Sequence, residues 1–126
     1  MLALGAELSK FLLSSILSLS FANNSFEFHR IEFKKNFKCS EHFHKYKWNG
    51  FYLESGEMLV RVWQDSDQDG LIDETILKPG DFMRVRPGLY HQFEGIKDGV
   101  AFEIYWSEFY HDDIVRRTVG KKTKND

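Results

Sequence analysis

The chain has 126 residues, 42% of them hydrophobic and 29% charged, which fits one globular domain with its own core and excludes a low-complexity chain. A formal net charge of −2 leaves no electrostatic footprint for nucleic acid, and one cysteine, Cys39, excludes a disulfide framework.

Residues 1–24 form an N-terminal segment ahead of the main pattern. Phe11 to Leu19 is an apolar run after Lys10, followed by Ser20-Phe21-Ala22, which looks like a signal-peptidase site. Glu7 in the would-be basic region and the serines in the run argue against export, and the segment is too short and too polar to span a membrane. The other readings are an amphipathic helix, with Leu8, Phe11, Leu12 and Ile16 on one face, or a first strand of the fold. Either keeps the protein cytoplasmic with no membrane partner; export through a signal peptide is the alternative.

From Ser25 the pattern is that of strands. Phe26, Phe28, Ile31 and Phe33 punctuate charged residues, and Lys34-Lys35-Asn36 supplies a polar turn. His29 in this strand has no motif partner and reads as an ordinary strand histidine. Phe37 to Tyr46 is expected to be a strand carrying His42 and His44, whose side chains, two residues apart, point the same way. Neutral imidazole is the commonest nitrogen ligand of first-row metals, so the pair forms half of a metal site. Cys39 reads as a buried small hydrophobe.

Trp48-Asn49-Gly50 reads as a turn, Phe51-Tyr52-Leu53 as the returning strand, Glu54 to Glu57 as the next turn and Met58 to Trp63 as a strand. The stretch after it resembles the first half of a calcium loop, with Asp65, Asp67 and Asp69 at its first, third and fifth positions, then Gly70 and Ile72. The twelfth position is Ile76 where such a loop needs a glutamate, leaving Asp73 or Glu74 to substitute; a solvated Asp-rich turn is the competing reading. Glu74 to Leu77 and Asp81 to Val85 are short strands. Pro87-Gly88-Leu89-Tyr90 then turns the chain so that His91 starts the strand Tyr90 to Phe93. Val100 to Trp106 is an apolar strand interrupted by Glu103, which is either a buried carboxylate or a solvent-facing one. Ser107 to Arg117 is expected to pack along the outside of a sheet, and residues 118–126 to be a disordered tail. Eight or nine short strands with regular turns predict an all-β, antiparallel double-stranded β-helix, or jelly roll, over residues 25–117, preceded by a short helix or strand.

The spacing of the histidines resembles the cupin family. Its first motif falls on Asn36, His42, His44, Asn49 and Gly56, and its second on Gly80, Arg86, Gly88, His91 and Gly95. Asn36 and Arg86 replace a glycine and a proline, Gly95 replaces an asparagine, and Asn49 stands where the family has a glutamate ligand. Asn36 is harmless, because asparagine tolerates a left-handed backbone. The resemblance implies a cupin barrel with His42, His44, His91 and the weak amide oxygen of Asn49 around a divalent manganese, zinc or iron. Residues 26 to about 117, notably Phe51 to Gly56 and Phe102 to Ser107, look like the branch containing D-lyxose isomerases and related sugar-phosphate isomerases. That likeness implies aldose–ketose isomerisation or epimerisation of a sugar or sugar phosphate, with Glu103 as the base and Lys45, Lys47 and Arg84 holding a phosphate or hydroxyls. The rival is a non-catalytic cupin that binds a sugar or other small polar ligand; a dioxygenase is a third class compatible with three histidines. Exposed aromatic sheet faces would favour a homodimer.

Overall fold

The computed structural model describes residues 15–64 and 70–123. Its regular elements are six strands: β1 (Ser15–Ala22), β2 (Phe26–Phe33), β3 (Trp48–Trp63), β4 (Leu71–Leu77), β5 (Phe82–Val85) and β6 (Tyr90–Trp106). Every pairing is antiparallel, in the order β1-β2-β6-β3-β4 with β5 also on β3. Among the described residues no helix is long and apolar enough to cross a membrane.

The two long strands organise the rest. Trp48 to Leu53 of β3 lies between β5 and the end of β6, which continues to β2 and β1, whereas Met58 to Trp63 lies between β4 and the beginning of β6. Each long strand thus belongs to two sheets that face one another. Phe33, Phe51, Leu53, Met58, Val60, Leu77, Val85, Phe93 and Ala101 from both sheets form one core. This is the expected all-β jelly roll.

The strands are fewer and longer than the sequence predicts, because polar and glycine signals mark bends as well as turns. Glu54 to Glu57, expected as a turn, lies inside β3, where the register with β6 slips three times between Leu53 and Met58. Gly56 has φ 83°, and a Cβ on Gly99 opposite it would run into the Ser55 carbonyl, so the bend depends on two backbones meeting without side chains. Trp48-Asn49-Gly50 is likewise strand and not turn. Gly50 is small because the Phe82 and Trp106 rings cover it; a Cβ there would meet both at 2.9 Å. Asn36, by contrast, does take the left-handed conformation, at φ 69°.

Phe37 to Tyr46, expected as a regular strand, is an irregular segment joined to β6 by single bridges, Lys38 to Glu94 and His42 to His91. The bridges are four positions apart on one strand and three on the other, so the segment carries one extra residue around Ser40-Glu41. Side-chain parity changes across it. Phe37 and Cys39 pack on the core before the extra residue, and the even-numbered His42 and His44 turn inward after it.

At the N-terminus, Ser15–Ala22 is a strand paired with β2, so Ile16 belongs to a strand; Leu8, Phe11 and Leu12 lie outside the described residues. At the other end, Glu108 to Thr123 is exposed and has no strand, so the expected packing of Ser107 to Arg117 along a sheet is not made. Its charges, among them Asp112, Asp113, Arg116 and Arg117, favour water over the sheet. Residues 124–126 of the expected tail lie outside the described residues. The outer face of the larger sheet keeps an aromatic stripe in which Phe102 meets Phe28 at 5.2 Å and Tyr52 at 6.2 Å, and Trp48 stacks on Trp106 at 6.1 Å.

Candidate metal centre

Three imidazoles converge where the irregular segment crosses the start of β6. The candidate ligand atoms of His42, His44 and His91 all lie within 4.8 Å of one another, and the ring centroids are 4.7 to 5.2 Å apart. His42 and His91 are backbone partners, each N–H donating to the other's carbonyl at 3.1 and 2.8 Å, which fixes the two rings side by side. His44 is tied down by its carbonyl, which accepts from Gly88 N–H at 2.8 Å. Gly88 sits at φ 91°, so the turn expected before His91 also anchors the first histidine pair.

The hydrogen bonds test whether these rings suit a metal. His42 Nδ1 lies 2.9 Å from the Ser40 carbonyl and 3.0 Å from Ser40 Oγ; the carbonyl can only accept, and a proton on Nδ1 that serves it directs Nε2 to the role of ligand. The buried Nε2 of His44 has no hydrogen-bond partner among the described residues. His91 has too many acceptors, with the Leu89 carbonyl 3.0 Å from Nδ1 and Asn49 Oδ1 2.9 Å from Nε2. The Asn49 amide is oriented with its Nδ2 donating to the Gly50 carbonyl at 3.3 Å and its oxygen toward His91. A neutral imidazole has one N–H and cannot serve both acceptors. Protonation would satisfy them, but burial holds His91 down to about 4. A cation shared by Nε2 and its neighbours would resolve the same contact without protonating the ring.

His44 is pushed further, to about 3, by burial first and then by the His91 and His42 rings and the Lys47 ammonium, with the Asn49 side chain opposing the shift. Both rings are therefore neutral at neutral pH, as ligands must be. The same shifts set a direction for stability without metal. These groups bind protons in the unfolded chain from about pH 6.5 downward but not in the fold, so stability is present above that pH and is lost as pH falls toward 4. Metal-free protein should melt progressively lower in calorimetric scans between pH 7 and pH 4.5, and a flat profile would show that the rings are not buried as described.

The other residues singled out in the sequence are dispersed around this centre. Asn49 is buried beside His91. Glu103 is also buried, which excludes the solvent-facing reading; its Oε2 accepts from Tyr105 Oη at 2.7 Å, and it is not one of the three clustered donors. Tyr105 is the residue that sequence reasoning missed. It faces the same way as Glu103, two positions earlier on β6, and its ring lies 5.2 Å from that of His44, so it joins the carboxylate to the centre. The period-two spacing was the available signal. Lys47 lies 4.2 Å over the Tyr105 ring and 3.6 Å from the Glu27 carboxylate, within the same neighbourhood. Lys45 is exposed over Tyr46, and Arg84 is exposed over Trp48 on β5, so neither stands among the residues around the imidazoles.

His29 is buried outside the cluster, 2.7 Å from Ser20 Oγ and 3.2 Å from Glu27 Oε2. Cys39 is no ligand either: burial pushes its thiol up to about 12, and its Sγ accepts from Phe93 N–H. Asp65, Asp67 and Asp69 lie outside the described residues, while Asp73 is on β4 and accepts from Thr75 Oγ1 at 2.7 Å.

Residues 29–108 match the family of cupin domains. The fold is similar to the cupin domain of Cnp3 from Schizosaccharomyces pombe, with 15% identity and a TM-score of 0.59 over 71% of this chain and 63% of that one. The chain thus spans less than two thirds of that domain. KdgF from a Halomonas species is similar at 12% identity and a TM-score of 0.58, covering 75% and 80% of the two chains. A cupin superfamily protein from Desulfitobacterium hafniense matches at 15% identity and 0.57, covering 75% and 76%. At these identities the likeness is one of fold. No functionally curated protein matches the chain.

Proposed function

Because the chain belongs to the cupin domain family, we propose that it is a metal-binding cupin in which His42, His44 and His91 hold a divalent manganese, zinc or iron and a small oxygen-rich ligand binds beside them. The observation that carries this reading is the mismatch of donors and acceptors around the three imidazoles: a buried Nε2 on His44 that completes no hydrogen bond, and a His91 ring held between two acceptors. A divalent ion there supplies Lewis-acid polarisation of a carbonyl or hydroxyl.

The reaction we propose is interconversion of an aldose and a ketose, or epimerisation, on a sugar or sugar phosphate. Its support is the buried Glu103, kept near the centre by Tyr105, with Lys47 alongside. In that reading Glu103 takes a proton from one carbon and returns it to the next, Tyr105 holds the carboxylate in place, and Lys47 pairs with a hydroxyl or phosphate. Manganese-loaded protein should then convert a member of a panel of aldoses, ketoses and their phosphates, and Glu103→Gln should lower turnover by at least about 100-fold with metal affinity unchanged. The second reading, a non-catalytic binder, is favoured by Asn49, which supplies no carboxylate; saturable sugar binding without turnover would establish it.

We further propose a cytoplasmic homodimer. Retention of residues 15–22 is supported by the pairing of β1 with β2, since cleavage after Ala22 would remove an edge strand, and the dimer is supported by the aromatic stripe. Calcium at Asp65, Asp67, Asp69 and Asp73 is a separate proposal resting on their spacing. Millimolar calcium should raise the Tm of the native protein and leave that of Asp67→Ala where it was; no shift in either would leave a solvated turn.

A further inference from the structure

A cavity of about 280 Å³ opens where the beginning of β4 and the end of β5 both contribute to its lining. It contains none of the three histidines. Its lining is apolar inside and charged at the rim: Val62, Val85 and Leu89 are buried, Met83 and Trp48 are half-buried, and Arg84, Arg86 and Asp73 are exposed. Its volume lies just below the range usual for small-molecule sites, and the combination of an apolar body with few polar groups is typical of them.

The charges point to the class of ligand. Arg84 and Arg86 are two residues apart at the end of β5, and both line the cavity. The Arg84 guanidinium is 5.2 Å from the centre of the Trp48 ring, a contact that orients it over an aromatic wall. The arginines that form ion pairs among the described residues are Arg30 and Arg61, so both cavity guanidiniums have their donors available to an incoming anion. Asp73, the one acid in the lining, already accepts from Thr75 Oγ1. Planar guanidinium matches a carboxylate in a two-point contact, while Trp48, Met83, Val62 and Leu89 suit a compact ring or branched body.

We propose that this cavity is a binding site for a small organic monocarboxylate with an aromatic or branched apolar body, separate from the histidine centre and independent of metal. The carboxylate lies against Arg84 and Arg86 at the rim, and the body fills the space over Val62, Val85 and Leu89. The cavity also adjoins the centre, since the Leu89 carbonyl faces His91 Nδ1.

The test uses the full chain freed of metal by a chelator that is then dialysed away, so that carboxylate ligation to an ion cannot imitate binding. Phenylacetate is titrated by calorimetry and by the NMR shift of the Trp48 indole N–H, against its uncharged counterpart phenylacetamide. Expected are saturable phenylacetate binding, at least tenfold weaker binding of the amide, and loss of binding in Arg84→Gln/Arg86→Gln. The arginines are exposed, and an unaltered circular dichroism spectrum and Tm would show that the double variant still folds. Absence of saturable binding would overturn the proposal, as would equal affinity for acid and amide, retention in the double variant, or binding that requires added metal.

Discussion

His44→Ala should lose at least about 100-fold in affinity for manganese or zinc, on the order of 2.8 kcal/mol at 1.4 kcal/mol per tenfold. Changing only the groups that orient metal ligands typically costs between 10- and 100-fold, so removing a ligand costs no less than the upper figure. His44 is the informative position because its apo and holo effects have different signs. Without metal its Nε2 is a buried polar atom with no partner, a group whose burial is unfavourable, so alanine should leave the apo Tm unchanged or slightly raised despite the lost packing against Tyr105. The rise in Tm that metal is expected to give the native protein should be absent from the variant. A variant that merely unfolds would lower both values. Titration calorimetry giving the native affinity in His44→Ala would end the assignment of this cluster as a metal site.

Asn49→Glu should act the other way, tightening divalent metal by at least about tenfold, on the order of 1.4 kcal/mol. Asn49 is buried, and its Oδ1 is already 2.9 Å from His91 Nε2, so a side chain one methylene longer carries its oxygen toward the three nitrogens. A carboxylate adds a hard, charged donor to a neutral set, whereas the amide oxygen is a weak ligand. The cost falls on the apo protein, which must bury the new carboxylate without a cation and should melt lower than the native one. Affinity gained with apo stability lost is the expected pair of results. Equal affinities in native and variant proteins would place the ion, if bound, away from Asn49.

The sequence carried the site further than it carried the strands. His42 and His44 at a spacing of two, and His91 behind a proline–glycine turn, are chemical signals that survive any local irregularity, so their convergence was readable. Glycine and asparagine punctuation was ambiguous because one residue type serves two physical purposes. At Gly88 it allows a left-handed turn, whereas at Gly50 it leaves room for rings above a flat strand, and only the partner strand distinguishes them. Glu103 posed the same difficulty. A glutamate in an apolar strand reads equally well as outward or inward until its neighbours are known, and Tyr105, which holds it, became visible only once both were seen to share a face. Arg84 reads as a site residue by charge alone, but the β5 strand places it over Trp48, away from the imidazoles. The extra residue around Ser40 did leave a trace: apolar Phe37 and Cys39 are odd-numbered and the histidines even-numbered, and no uniform strand can turn both sets inward.

That trace gives the stretch from Phe37 to His42 one residue more than a regular strand needs. An in-frame loss of one codon at position 40 or 41 would preserve every histidine and every core residue and bring the segment into even step with β6. Phe37, Cys39 and the two imidazoles would then share one parity and face inward together. Loss of both Ser40 and Glu41 would instead set the imidazoles at the opposite parity, toward solvent. Natural variation at this place should therefore tolerate loss of one residue far better than loss of two, and when related chains are compared the count of residues between the inward aromatic and the first histidine separates working centres from broken ones.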